Sequence, residues 1–150
     1  MIKVECKSLG IDLMQRLLPS VRRNWEASGG YADLDFDVDW GMYLTLQERG
    51  ILKVFVATEG GEIAGYLWYI ISPGHPHDRK VPFAIQDTFF VEHAYRKKGV
   101  ALKLMTFAEG ALRQDGIGVV TQAAKPGSEF NRVLERKGYE HTENMYLKRL

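Results

Sequence analysis

Arg96, Lys97 and Lys98 run directly into Gly99-Val100-Ala101, and the apolar residues that follow recur at helical spacing. A glycine turn that opens a helix leaves its first N–H groups without partners at the positive end of the helix dipole, and three cations on the same turn add charge. Such a turn suits an anion, with phosphate as the natural ligand class. Gly99 permits positive φ and close backbone approach. A solvated basic turn would carry the same residues, so the neighbouring segments matter. The Gly-x-Gly-x-x-Gly of dinucleotide folds and the Gly-Lys-Ser/Thr of nucleoside-triphosphate loops are both absent.

Just upstream, Ala84-Ile-Gln-Asp-Thr-Phe-Phe-Val91 reads as a strand that carries one carboxylate, Asp87. Strict alternation puts Asp87, Phe89 and Val91 on one face and Gln86, Thr88 and Phe90 on the other, a parity that a β-bulge would break. Asp33, Asp35, Asp37 and Asp39 alternate with Leu34, Phe36 and Val38. A calcium loop would add a turn glycine and a terminal bidentate Glu, and these are missing, so no metal is expected there. His75, His77 and Asp78, set among Pro73 and Pro76, read as a mobile loop over a cleft in preference to a metal site.

The elements that must hold these groups follow from periodicity. Val4 and Cys6 alternate with charged residues as a short strand, and Ile11 to Trp25 has helical spacing, closed by Gly29-Gly30, with Pro19 expected to bend or divide it. The acidic segment Tyr31 to Trp40 leads into a second helix, capped by its later aspartates and ending at about Arg49 before Gly50. Ile51–Thr58 and Glu62–Ser72 are strands joined by the tight turn Glu59-Gly60-Gly61. Pro82–Glu92 is a further strand, Val100–Gln114 a helix, Ile117–Ala123 a buried strand, and Pro126–Gly138 a short helix. Tyr139–Leu147 supplies final strand material. The order β-α-α-β-β-β-α-β-α-β mixes a meander with one β-α-β crossover, which predicts an α+β fold around a single sheet, one domain over residues 1–150.

Composition narrows the function classes. The 150 residues are 45% hydrophobic and 26% charged, with 15 Gly and 5 Pro, so disorder is excluded as the main state. One cysteine, Cys6, precludes an intramolecular disulfide or a Cys-rich zinc site. The first six residues read as a strand and not a signal peptide, and no apolar run approaches the ~18 residues of a membrane span. A cytoplasmic protein is expected. Residues 1–75 hold 7 basic and 10 acidic residues, and residues 76–150 hold 13 and 9, so the halves differ in sign while the whole carries +1. That balance argues against bulk nucleic-acid binding and suits an anionic ligand meeting a cationic one.

The run Val91-x-x-x-Tyr95-Arg96-x-x-Gly99-x-Ala101, placed after a strand two-thirds through an α+β chain, resembles motif A of the GNAT superfamily of acyl-CoA-dependent N-acetyltransferases. The likeness covers nearly the whole element order and is strongest over residues 84–112. It implies the GNAT fold, a mixed, mostly antiparallel sheet flanked by about four helices, with acetyl-CoA as cofactor. It further implies that Arg96, Lys97, Lys98, Gly99, Val100 and Ala101 hold the coenzyme A pyrophosphate, mainly through backbone N–H groups. Val91 would then lie beside the pantetheine arm, and the sheet would splay open near this strand.

Amide formation from a thioester needs a neutral amine, stabilisation of an oxyanion and departure of a thiolate. The segment Ile85–Val91 is similar to the Glu-Asp-x-x-Val pattern of spermidine/spermine-type members, whose acids bind or deprotonate the amine. Here Gln86 replaces the first acid, so Gln86 is assigned to substrate binding and the base role falls on Asp87; a structural aspartate is the competing reading. The family's usual Tyr is Leu134 here, and its usual Asn falls near Gly127. Tyr139 or Tyr146 could substitute, or the thiolate, with a reference pKa of about 8.5, could leave unaided. Asp33 and Asp35 lie in the region that lines the family's acceptor pocket, where they would attract a cationic amine; a solvated loop with capping aspartates is the competing reading. The three tryptophans are assigned to packing. The resemblance thus implies transfer to a primary amine of a small molecule or peptide in a ternary complex, with a homodimer left open. The alternative is a non-catalytic acyl-CoA-binding or protein-interaction domain.

Overall fold

The computed structural model describes residues 1–29, 31 and 33–150; Gly30, half of the expected helix stop, and Ala32 in the acidic segment lie outside them. The chain folds as β1 (Lys3–Lys7), α1 (Ile11–Ser28), α2 (Trp40–Glu48), β2 (Leu52–Glu59), β3 (Glu62–Ser72), β4 (Phe83–Val91), α3 (Val100–Gln114), β5 (Val119–Thr121) and α4 (Phe130–Arg136). A 3₁₀ turn at His93–Tyr95 joins β4 to α3. The five strands lie in chain order, antiparallel except for the parallel β4–β5 pair that α3 connects.

Alternation along the strands divides the core between the two faces. Leu52, Val54, Val56, Tyr66, Trp68 and Phe90 face α1 and α2, while Phe55, Leu67, Tyr69 and Ala84 face α3. The stripe Val100, Leu104, Met105, Ala108 and Leu112 seals the second face, at about 1.5–3 kcal/mol for each large side chain removed from water. α1 runs through Pro19 without being divided. Leu13, Met14, Leu17 and Val21 pack on the sheet on either side of the proline and hold the helix across the missing hydrogen bond.

Gly60 and Gly61 both adopt positive φ in the two-residue turn between β2 and β3. Such a turn twists with its strands and fixes the hairpin register.

Three expected boundaries are corrected at the C-terminal end. β5 is limited to Val119–Thr121, because β4 offers it only Phe83–Ile85 before the two strands diverge. Pro126 does not begin α4: Gly127 takes φ +73°, and the main chain forms a Lys125–Ser128 turn that Asn131 ties to the helix through bonds to both carbonyls. Tyr139–Leu147 is not a strand. Only Tyr139 is partly buried there, the polar run Glu140–Asn144 has no alternation to present to a sheet, and residues 140–150 are exposed without regular structure.

An ionic clasp fixes the end of β4 against α1. Arg23 donates to Glu92 through Nε (3.0 Å to Oε2) and Nη2 (2.7 Å to Oε1), and Ser20, only 1% exposed, donates its hydroxyl to Oε1. Burial pushes the Glu92 carboxyl up, but these hydrogen bonds and the charges of Arg23 and Arg96 outweigh it and leave Glu92 below its ordinary range. The segment that leads into the basic turn is therefore anchored at Glu92, before the turn begins.

Candidate active site

The β4–β3 register slips between Trp68 and Tyr69: Trp68 lies opposite Thr88 and Tyr69 opposite Gln86, so Asp87 is the extra residue of a β-bulge. This overturns the simple alternation. Phe89 and Val91 pack on the α3 face, whereas Asp87 turns towards α2, where the Tyr43 hydroxyl donates to its Oδ2 at 2.7 Å. A bulge re-aims one side chain without disturbing the rest of the strand. Water reaches Asp87 at the floor of a cleft, but the walls crowd it. That burial raises its pKa above the ordinary carboxylate range, with the Tyr43 hydrogen bond acting in the opposite sense.

Gln86 stays on the other face. Its Oε1 accepts the backbone N–H of Ala123 at 3.0 Å, two residues past the end of β5. This bond bridges β4 and β5 at the point where their ladder stops, and β4 continues to Val91 without a strand partner on that side. The expected splay is thus present, and Gln86 is its fastening. Behind it, Gln122 donates to the Tyr69 hydroxyl.

At the far end of β4 the basic turn has two left-handed residues, Lys97 at φ +64° and Gly99 at φ +75°, ψ 10°. Left-handed backbone at a non-glycine costs on the order of 1–2 kcal/mol, and strain of this kind gathers at ligand clamps. The Lys103 N–H reaches the Gly99 carbonyl at 3.0 Å, whereas among the described residues the N–H groups of Lys97, Gly99, Val100, Ala101 and Leu102 have no protein acceptor. No side chain caps this end of α3, and Lys97 and Lys98 are exposed. These free donors at the positive end of the helix fit a diphosphate. Arg96 is less free: its Nε donates to the Val91 carbonyl at 3.2 Å and its guanidinium lies 5.7 Å from the Phe90 ring centre. Val100 is buried, so only its main chain can serve a ligand.

The remaining candidates separate clearly. Asp39 caps α2 by accepting the Met42 N–H at 2.8 Å. Asp33 receives two hydrogen bonds from Arg149, at 2.7 and 2.6 Å, which hold its pKa down at about 2. Asp35 and Asp37 line the cleft that also contains Asp87 and Gly99. Trp25, stacked on Tyr31 at 5.4 Å, lines that cleft too, while Trp40 and Trp68 pack in the core. His75 and Asp78 exchange two backbone hydrogen bonds of 2.9 Å, which makes their segment a closed turn. Among the described residues no cluster of three or more His, Cys, Asp or Glu is arranged to hold a metal ion, and no helix is long and apolar enough to cross a membrane.

Leu134 packs against the α3 core, so that position has no proton donor. Tyr139 donates its hydroxyl to Glu109 at 2.8 Å, and burial and this bond raise its pKa; Tyr146 is 88% exposed. Sequence reasoning missed Tyr43. Its signal was the i, i+3 spacing from Trp40, which sets both rings on one face of α2, but an aromatic pair at that spacing reads as core packing.

No curated protein matches the chain by sequence. An aminoglycoside acetyltransferase from an uncultured soil metagenomic sample superposes with a TM-score of 0.78 at 19% identity, over 100% of this chain and 99% of its own. AAC(6')-Iy, solved with a bisubstrate analogue of coenzyme A, gives 0.74 at 16% over 100% and 98%. The ribosomal-protein-alanine N-acetyltransferase of Brucella melitensis biovar Abortus 2308 gives 0.71 at 15% over 100% and 99%. At these identities the likeness is one of fold. Residues 50–142, more than half of the chain, match the acetyltransferase (GNAT) domain, and they carry the bulged strand, the splay and the basic turn on α3. The chain belongs to the GNAT family of acetyltransferases.

Proposed function

We propose that the protein transfers an acetyl group directly from acetyl-CoA to the primary amine of a small molecule or peptide while both are bound, with Asp87 taking the amine's proton. Acetyl-CoA is the acyl donor, consistent with the family. The observation that carries the reading is that one cleft is lined both by the free-donor turn at Gly99 and by the bulged carboxylate Asp87.

The backbone donors from Lys97 to Leu102, with Lys97 and Lys98, would hold the diphosphate, and Val91 would border the arm that leads to the thioester. The thioester supplies an activated acyl carbon and a leaving group. The bound ammonium must first lose a proton so that its nitrogen can attack, and Asp87 is the carboxylate in the cleft with a pKa raised by its surroundings. As the C–N bond forms and the C–S bond breaks, the nitrogen loses its second proton to the departing thiolate. The thiolate leaves without a tyrosine acid, since Leu134 offers no proton and thiols titrate near 8.5. The 150 residues are read as one domain acting in the cytoplasm, where acetyl-CoA and a reduced Cys6 would coexist.

Asp35 and Asp37, beside the Trp25–Tyr31 stack, favour a cationic acceptor. Both relatives named for their acceptors, an aminoglycoside and a ribosomal-protein alanine, act on amines. Neutralising Asp33 and Asp35 together is expected to raise KM for a cationic amine about 3- to 10-fold, with coenzyme A affinity nearly unchanged and the effect fading in high salt. Because Arg149 already occupies Asp33, Asp35→Asn alone should carry most of the change. Initial rates over a panel of amines measure it, and unaltered KM for every cationic acceptor would leave this loop as solvated surface.

A further inference from the structure

We infer that Tyr43 is a positioning residue for the reaction: by donating to Oδ2 of Asp87 it fixes the carboxylate so that Oδ1 is left to receive the amine's proton. The inference rests on the reading of Asp87 as the base.

A bulged residue lacks the ladder constraints of its neighbours, so its side chain needs another support. Among the described residues Tyr43 is the one hydrogen-bond partner of the Asp87 carboxylate, at 2.7 Å. The Tyr43 ring is itself held, edge-on to Trp68 at 5.0 Å and tilted against Trp40 at 6.2 Å. Trp68 is 1% exposed and lies opposite Thr88, the first paired residue after the bulge. The contact therefore spans two routes from one sheet: β3 through Trp68 to Tyr43, and β4 through the bulge to Asp87.

The remaining titratable groups around Asp87 cannot take over this role. Tyr66 on β3 has its hydroxyl engaged with Asn24 and Thr88, and burial pushes its pKa up to about 12. From the loop before α2, Asp35 and Asp37 line the cleft as acceptor-only carboxylates and Asp39 caps α2, so none of them can donate to Asp87. On α1, the cation Arg23 is committed to Glu92. Burial raises Asp87 and only the Tyr43 hydrogen bond opposes it. Removing the hydroxyl should move Asp87 further upward, so the acid limb of kcat/KM shifts to higher pH.

The experiment compares wild type, Tyr43→Phe and Asp87→Asn for kcat and kcat/KM against pH, alongside coenzyme A affinity and Tm. Tyr43→Phe keeps the ring and its packing. The expected result is a kcat about 10-fold lower, an acid limb displaced upward by about one pH unit, and unchanged coenzyme A affinity. A merely structural tyrosine would lower Tm and leave the limb in place. A wild-type limb and kcat in Tyr43→Phe, while Asp87→Asn is crippled, overturns the positioning role alone. A wild-type rate and limb in Asp87→Asn overturns the base, and the positioning role with it. Should Tyr43→Phe not fold, the wild-type protein still decides: the carboxyl carbon of Asp87 should show a deuterium isotope shift from the Tyr43 hydroxyl in mixed H₂O/D₂O, and its absence overturns the bond.

Discussion

Asp87→Asn is expected to lower kcat at pH 7 by 10²-fold or more, about 2.7 kcal/mol of barrier, while coenzyme A binds as before. The amide keeps the size of the carboxylate, and its oxygen can still accept from Tyr43. What it loses is the ability to take a proton. A primary amine with a pKa near 10 is about 0.1% neutral at pH 7, and this fraction rises roughly tenfold per pH unit. The deficit should therefore shrink steadily towards pH 10, as neutral amine becomes available without a base.

Linkage supplies an internal control. The Asp87 pKa is raised in the folded protein, so this group favours folding below the ordinary carboxylate pKa, and that contribution is lost as pH rises through the folded value. Where the side chain is ionised it adds nothing to stability, so Asp87→Asn should match or exceed the wild-type Tm. A rate loss with a lowered Tm would make Asp87 structural; full activity at pH 7 would assign the proton to water or another side chain.

The second large effect concerns the basic turn. Gly99→Asp should weaken coenzyme A binding by about 10²-fold, as measured by calorimetry. Nothing lies within 4 Å of a Cβ placed at Gly99, so the protein has room for the new side chain and no internal clash confuses the result. The φ of +75° adds modest strain, which aspartate tolerates better than most residues. The main effect is a carboxylate facing the diphosphate across the free N–H groups. Arg96→Ala should cost less, about 10-fold or below, because the guanidinium is already engaged by the Val91 carbonyl and the Phe90 ring and the backbone donors remain. Wild-type affinity in both folded variants would move the phosphate site elsewhere.

The basic turn was legible in the sequence because its chemistry is local. A glycine, three cations and the first turn of a helix are consecutive residues, and their physics does not depend on what packs around them. The two early helices, the Gly60-Gly61 hairpin and the core stripe of α3 were legible for the same reason. Asp87 was legible as a residue but not as a direction. A bulge arises from how β3 and β4 pair, and no alternation within β4 alone reveals the slip between Trp68 and Tyr69. Tyr43 lies 44 positions from Asp87 and meets it only once α2 has packed on the sheet.

Gln86 shows the converse. The resemblance assigned it to substrate binding, and its Oε1 also makes the bond at which the β4–β5 ladder ends, a role that only the pairing of the two strands reveals. The tail misled by composition: Tyr139, Tyr146 and Leu147 suit a strand, but Tyr139 is drawn to Glu109 and Arg149 reaches Asp33 instead.

Direct transfer is tested by the initial-velocity pattern of the wild-type protein, with acetyl-CoA varied at several fixed concentrations of a good cationic amine. Intersecting double-reciprocal lines, with one N-acetylated amine formed per coenzyme A released, are expected for transfer within a ternary complex carried by the Gly99 turn and Asp87. Parallel lines with an isolable acetyl-enzyme, or tight acetyl-CoA binding with no transfer to any amine, would contradict it.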